Sequence, residues 1–249
     1  PKELVTAAAT GEPPKFLRAW RSRLKALRPN GSPPKALQAV WSITAGEDDQ
    51  LTRALAPFRP AKPFKKRRAA IHPHGTWAEK IEPLARLLGE ASTNLATPAG
   101  MSCGLELLAT SASAISLEIL WPLFRRVLTA VMQHAAVENS AGLAPDIVLQ
   151  TNGEIPFCAG LLFIDLVGAP ELMRRGQKVL KKDLPARADN DGTVHAELAT
   201  RLPLWLASLI RCTAWTAAFQ AELWDVDERA LVSDICERTL ALCRADGRL

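Results

Sequence analysis

The chain has 249 residues, of which 48% are hydrophobic, so it can bury a core of substantial size. It contains no tyrosine and only seven phenylalanines, which leaves Leu, Ala, Ile and Val to form that core and favours helices over strands. Five widely spaced cysteines without a C-x-x-C pair argue against a disulfide framework and against a cysteine-rich zinc site.

The net charge of +5 is unevenly distributed. Residues 1–80 hold sixteen Lys/Arg against six Asp/Glu, whereas residues 81–249 hold fifteen against twenty. The basic part could meet nucleic acid, an anionic glycan or an anionic membrane surface, or it could be a solvated flank. No apolar run is long enough to predict a membrane span, and no signal peptide is visible.

Apolar residues at helical spacing predict a first helix over 14–28. A second helix is expected in "KALQAVWSI" and a short third one over 48–57. Residues 57–75 are rich in Pro, Lys and Arg without a period, which predicts a linker or an extended surface arm. Thr76 can cap the helix predicted over 77–90.

The second half of the chain shows a denser helical pattern. The predicted helices are 101–119, 121–138 with Pro122 in its first turn, 154–167, 170–182, 199–221 and 227–244. Helices alternate with short loops, and no alternating strand pattern is present. This organisation predicts an all-α protein of serial helical hairpins, either a toroid or a solenoid.

A polar cluster follows the predicted turn "ADNDG", in which Gly192 is expected at positive φ. It contains His195, Glu197 and Arg201. A metal site is not favoured, because the partner motif of a zinc deaminase is absent and the turn lacks EF-hand ligands. Two interpretations stay open: an acid/base site lining a cleft, or an ordinary helix start with a first-turn glutamate.

A second polar stretch is "QTNGEIPF" at 150–157, predicted as a loop with a helix beginning at Glu154 or Ile155. Asn152 and Glu154 could cap that helix, or they could lie at the mouth of a cleft. The later tryptophans, Trp205 among them, could pack in the core or stack on sugars.

Two features of the basic arm could bind ligands. "FKKRR" at 64–68 could contact phosphates or sulfated sugars, and His72 and His74 could face one ligand or lie in an exposed loop. No Gly-rich nucleotide loop, serine-nucleophile elbow or aromatic nucleic-acid platform is present, so nucleic acid is not the favoured partner.

Taken in order, "NGEIPFCAGLLFIDLV", "RRGQKVLKKDL", "DNDGTVHAELATRLPLWLASLIRCTAW" and "RALVSDICERTLALCRADGRL" resemble the N-terminal α/α-toroid of heparinase II/III-like proteins. The resemblance covers roughly 100–249. It implies an incomplete α/α-toroid over 76–249, preceded by a basic helical segment and arm over 1–75. It also implies that a C-terminal β-sandwich domain follows in the longer protein, and that the protein is periplasmic or extracellular.

The resemblance implies β-elimination on an acidic, uronic-acid polysaccharide, without a metal or cofactor. Asn152 and Arg201 would hold the sugar carboxylate, while His195 would transfer the proton and Glu197 would orient it. Glu154 and Trp205 would complete the substrate contacts.

The sequence departs from the family at one important point. A catalytic tyrosine is expected near Leu202 and Pro203, and this chain has none. The protein could therefore bind glycans without cleaving them. An alternative of another class is a non-catalytic helical scaffold that binds protein or nucleic acid through 59–68. A lyase is expected to bring Asn152, His195 and Arg201 into one cleft.

Overall fold

The computed structural model describes residues 2–9, 11–27, 77–90, 95, 97–135 and 142–242. Within these ranges the chain is helical, without a β-strand, which confirms the all-α prediction. The helices are α1 (Lys2–Ala9), α2 (Pro13–Leu27), α3 (Trp77–Gly89), α4 (Pro98–Ser111), α5 (Leu117–Ala135), α6 (Pro145–Val148, Leu149–Glu154 and Ile155–Leu162), α7 (Ala169–Arg187), α8 (Leu202–Phe219) and α9 (Val226–Leu242).

Local capping explains several helix ends. Thr97 adopts an extended conformation and its Oγ1 accepts a hydrogen bond from the Gly100 amide at 3.1 Å, while Pro98 occupies the first turn of α4. At the other end of the chain, α8 ends where Gln220 takes a left-handed conformation with φ of 52°.

Several predicted boundaries are wrong. The helix expected over 101–119 ends at Ser111, because a 3₁₀ turn at Ala112–Ala114 and an extended Ile115 follow it. The helix expected to begin at Trp121 begins at Leu117, so Pro122 lies inside α5. Residues 119 and 120 continue the buried stripe that Leu123 and Phe124 form, and this burial extends the helix past the proline signal. The predicted loop at 150–153 is also wrong, because this stretch is the middle of α6.

Residues Leu149–Glu154 form a π-helix between two α-helical parts of α6. The helix begins early because Pro145 occupies its first turn and Asp146 supplies a first-turn carboxylate. Gly153 lies in the interior of this helix, where it packs against Leu180 of α7. The turn residues "TNG" are thus overridden by tertiary packing.

Several helices that are neighbours in sequence pack on each other, namely α1 on α2, α3 on α4, α4 on α5, and α6 on α7, while α3 packs more extensively on α5 than on α4. Helix α6 also contacts α4, α5 and α8, which makes it the centre of the described fold. The closest approach is between α6 and α7, where a Cβ on Gly176 would lie 2.5 Å from the Gly153 carbonyl oxygen and from the Phe157 amide nitrogen. Only glycine allows the two backbones to come this near.

One helix of the described ranges, Leu202–Phe219, is apolar and long enough to cross a membrane by length and composition. Half of it is buried inside the molecule, as in a core helix of a globular domain.

Candidate functional site

His195 follows a tight loop between α7 and a 3₁₀ turn at Ala196–Leu198. The His195 amide donates to the Arg187 carbonyl at 2.9 Å, and the Asp189 amide donates to the Thr193 carbonyl at 2.9 Å. Inside the loop, Asp191 Oδ1 accepts the Thr193 amide and Gly192 has a φ of 81°. The predicted Asx-type turn is therefore confirmed, and it holds His195 against the body of the protein.

The His195 imidazole is 41% exposed, and its Nε2 lies 3.5 Å from Asp189 Oδ1. A carboxylate beside an imidazole can hold the ring in one orientation. Because the side chain is neither buried nor tied to the core, it can reach a ligand in solution.

An open groove of about 580 Å³ lies beside His195. One wall is the 192–196 stretch with Ala199 and Leu202, and the other is the last turns of α9, including Arg238 and Leu242. Arg238 Nη2 lies 3.3 Å from Asp191 Oδ2, and both side chains are more than half exposed. The groove thus combines an apolar floor with an imidazole and a guanidinium, and its volume falls in the usual range of ligand sites.

In the described part of the structure, Glu197 makes no contact with His195. It forms an ion pair with Arg187, whose other partner is Asp183 at 3.6 Å. Asp183 in turn accepts a hydrogen bond from Trp205 Nε1 at 2.7 Å. These contacts tie the end of α7 to the start of α8, which is a structural role.

Burial raises the pKa of the Asp183 carboxyl, although hydrogen bonds from Trp205 and Arg187 act in the opposite direction. Trp205 itself is fully buried, as are most of the indoles of Trp215 and Trp224. These tryptophans are therefore packing residues. The expectation that Trp205 contacts the sugar is wrong, because its side chain is fully buried.

Arg201 lies at the start of α8, where its Nε is 3.2 Å from Oδ1 of the buried Asp146. This pair joins the start of α8 to the start of α6. Arg201 and Asn152 do not line the groove beside His195, so the expectation that Asn152, His195 and Arg201 share one cleft is wrong. Asn152 is half-buried in the π-helical part of α6 and does not cap a helix.

Glu154 forms a buried ion pair that the sequence alone did not reveal. Its two carboxylate oxygens accept bonds from Nε and Nη2 of Arg211, both at 2.6 Å, and the two side chains are 3% and 2% exposed. Ser102 Oγ donates to Glu154 Oε1, Ser208 Oγ accepts from Arg211 Nη2, and Gln150 Nε2 donates to Ser102 Oγ. Glu154 is therefore inside the molecule and not at a cleft mouth.

The charge on Arg211 is retained despite its burial. Burial lowers the pKa of its guanidinium, but the charge and hydrogen bonds of Glu154 outweigh this, so that the pKa is raised overall. A paired, hydrogen-bonded cation is the form in which a buried arginine is stable.

Cys103, Cys158 and Cys212 are buried, where they pack as small apolar core residues. Burial raises the pKa of the Cys103 thiol to about 12. The described residues contain no group of three or more His, Cys, Asp or Glu that could hold a metal ion.

Several predicted features lie outside the described residues. These are the helices expected at 35–43 and 48–57, the arm at 57–75 with "FKKRR" and the two histidines His72 and His74, and Thr76 as a cap.

Comparison with known proteins finds no matching family model, no matching curated protein and no matching solved structure. The resemblance to heparinase II/III-like toroids therefore stays a prediction.

Proposed function

We propose that this chain is an incomplete α/α-toroid of the heparinase II/III-like type, and that it binds an acidic polysaccharide in the groove beside His195. The proposal rests chiefly on the convergence of His195 and Arg238 on one open groove of about 580 Å³. The contacts between the sequence-adjacent helices α1 and α2, α4 and α5, and α6 and α7 support the toroid.

The groove suits a sugar acid in its chemistry. Val194, Ala199 and Leu202 offer an apolar surface for the C–H face of a sugar ring, and polar groups lie at the rim. Arg238 can receive the sugar carboxylate through its planar guanidinium. Its present partner, Asp191, is an exposed carboxylate, and such surface pairs contribute only about 0–1 kcal/mol, so a ligand can replace it.

In a β-elimination, His195 would take the proton next to the carboxylate while Arg238 stabilises the negative charge that develops there. The electron pair then forms a carbon–carbon double bond, the glycosidic C–O bond breaks, and the leaving oxygen takes a proton from the His195 imidazolium or from water. We assign the carboxylate to Arg238 in preference to Arg201, because Arg201 is engaged with the buried Asp146.

The test is a pair of measurements on the same samples. The protein is incubated with a panel of uronic-acid polysaccharides while the absorbance of unsaturated uronate products is followed, and binding is measured in parallel by fluorescence anisotropy. The variants are His195→Ala and Arg238→Gln. His134→Ala, at a half-buried histidine of α5 that does not line the groove, is the matched control.

A rise in absorbance that His195→Ala abolishes and His134→Ala preserves would support lyase chemistry at this groove. Binding without any rise, weakened by Arg238→Gln, would support a toroid that holds acidic glycan without cutting it. If the protein neither binds nor cleaves any of these polymers, the proposal is wrong and the scaffold alternative takes its place.

A further inference from the structure

Helix α7 carries a row of basic residues on its solvent side. Arg174, Lys178 and Lys182 are spaced four residues apart, and all three are exposed. The core side of the same helix is formed by Gly176, Leu180 and Leu184, which are buried. We call Arg174, Lys178 and Lys182 the basic stripe.

The geometry of an α-helix places the three charges in a line. At 1.5 Å per residue, neighbouring members are about 6 Å apart along the axis, and the first and last about 12 Å apart. Each lies roughly opposite the buried face. The stripe is thus a straight, outward-facing row of cations.

The two lysines of the stripe are not neutralised by the protein. Within the described part of the chain, neither Lys178 nor Lys182 has an ion-pair partner. Arg174 pairs with Glu171, but these side chains are 68% and 70% exposed, so the pair is easily exchanged.

Other charged residues of α7 form contacts of their own. Lys181, one position away on the helix surface, is bound to Glu228 at 2.9 Å. Asp183 faces Trp205 and Arg187. Glu171, Asp183 and Glu228 are therefore paired, while Glu222, whose carbonyl accepts a bond from Gln177, is an exposed acidic residue beside the stripe.

We propose that the basic stripe is a docking surface for a linear acidic polysaccharide, distinct from the groove residues. This inference rests on the proposed function, since it assigns a second contact for the same class of ligand. The stripe runs along α7 toward its C-terminal end, which leads directly into the loop that carries His195.

The side chains favour a polysaccharide over a nucleic acid. Helix α7 contains no aromatic residue, so the stripe offers no surface on which unpaired bases could stack. Carboxylates on a sugar chain need only a row of cations. The proposed partner is therefore the polysaccharide, and binding of nucleic acid is an alternative that the test can detect.

The experiment measures binding of fluorescently labelled polygalacturonate, and of single-stranded DNA, to the full chain. The stripe variant is Lys178→Gln with Lys182→Gln. The matched control is Arg86→Gln on α3 with Arg125→Gln on α5, which removes the same net charge from another exposed surface outside the basic residues 1–80. Lys178→Arg with Lys182→Arg tests rescue by charge alone.

We expect the stripe variant to bind polygalacturonate roughly 5- to 30-fold more weakly, because a lysine near a polyanionic surface contributes about a fivefold effect. The control and the arginine variant should bind like the wild type. The affinity of the stripe variant should also depend less steeply on salt than that of the wild type, since two fewer counterions are released.

Equal affinities of the stripe and control variants would overturn the inference while leaving the proposed function intact. Loss of DNA binding alone, with polygalacturonate binding unchanged, would also overturn it. If the wild-type chain binds no polyuronate at all, both this inference and the proposed function are wrong.

Discussion

Removal of one member of the Glu154–Arg211 ion pair is expected to destabilise the protein strongly. In Arg211→Met, the Glu154 carboxylate would remain buried and lose its two bonds of 2.6 Å. Breaking a buried pair in this way costs about 3–5 kcal/mol. For a chain of this size, that loss lowers the melting temperature by roughly 6–20 °C.

The double variant Glu154→Leu with Arg211→Met is expected to recover much of the loss. It leaves no uncompensated charge inside, and an apolar pair of similar volume is often as stable as the ion pair it replaces. The coupling free energy between the two positions follows from the two single variants and the double variant.

The assay is urea unfolding followed by circular dichroism, with the free energy of unfolding extrapolated to water. Arg174→Met is the control, because Arg174 also pairs with a glutamate at 2.8 Å but is exposed. It should cost no more than about 1 kcal/mol. A loss in Arg211→Met as small as in the control would refute the reasoning, as would a double variant no more stable than the worse single one.

Three further predictions concern local features. Gly192→Ala should destabilise the protein more than Gly142→Ala. Both glycines have a φ of 81°, but of the two only Gly192 would bring an added Cβ against another residue, at 2.9 Å from Asp234. Equal losses in the free energy of unfolding, measured in urea, would contradict this contact. The raised pKa of Asp183 means that the folded state binds more protons, so this carboxyl lowers stability as pH rises from about 3.8 through the raised pKa. The stability of Asp183→Asn should therefore rise relative to the wild type as pH rises over that range. A difference in the free energy of unfolding that does not change with pH would contradict the prediction. With its pKa of about 12, Cys103 should resist iodoacetamide at pH 8 in the folded chain and react after unfolding, as mass spectrometry can show.

The sequence alone was sufficient to predict most helices of the described ranges. The period of the apolar residues found α2, α3, α8 and α9 to within a few residues, since one buried face per helix is a property of local sequence. It located α4 and α7 but not their ends, because the helix expected over 101–119 stops at Ser111 and the one expected over 170–182 continues to Arg187. Capping and turn chemistry worked for the same reason. Gly192 takes the positive φ that its turn requires, and this needs no information from the rest of the chain.

The candidate site was only partly predictable. His195 was identified from its own neighbourhood and does lie at an open groove, but the partner that shares the groove is Arg238, on a helix 43 residues further along the chain. Arg201, much nearer in sequence, is held by Asp146. Spacing along the chain indicates which side chains exist near a turn, and it does not indicate which distant helix packs across from them.

The polar contacts in the interior of the protein could not be predicted from local sequence and follow from the tertiary structure. Glu154 looked like a cap because it follows "TNG", yet its carboxylate binds Arg211, 57 residues away, within a π-helix that no local signal marks. Helix propensities differ by less than about 1 kcal/mol per residue for most residues, whereas an unpaired buried charge costs several kcal/mol. Helix positions therefore follow from the sequence, while the conformation of α6 and the partners of its polar groups follow from packing.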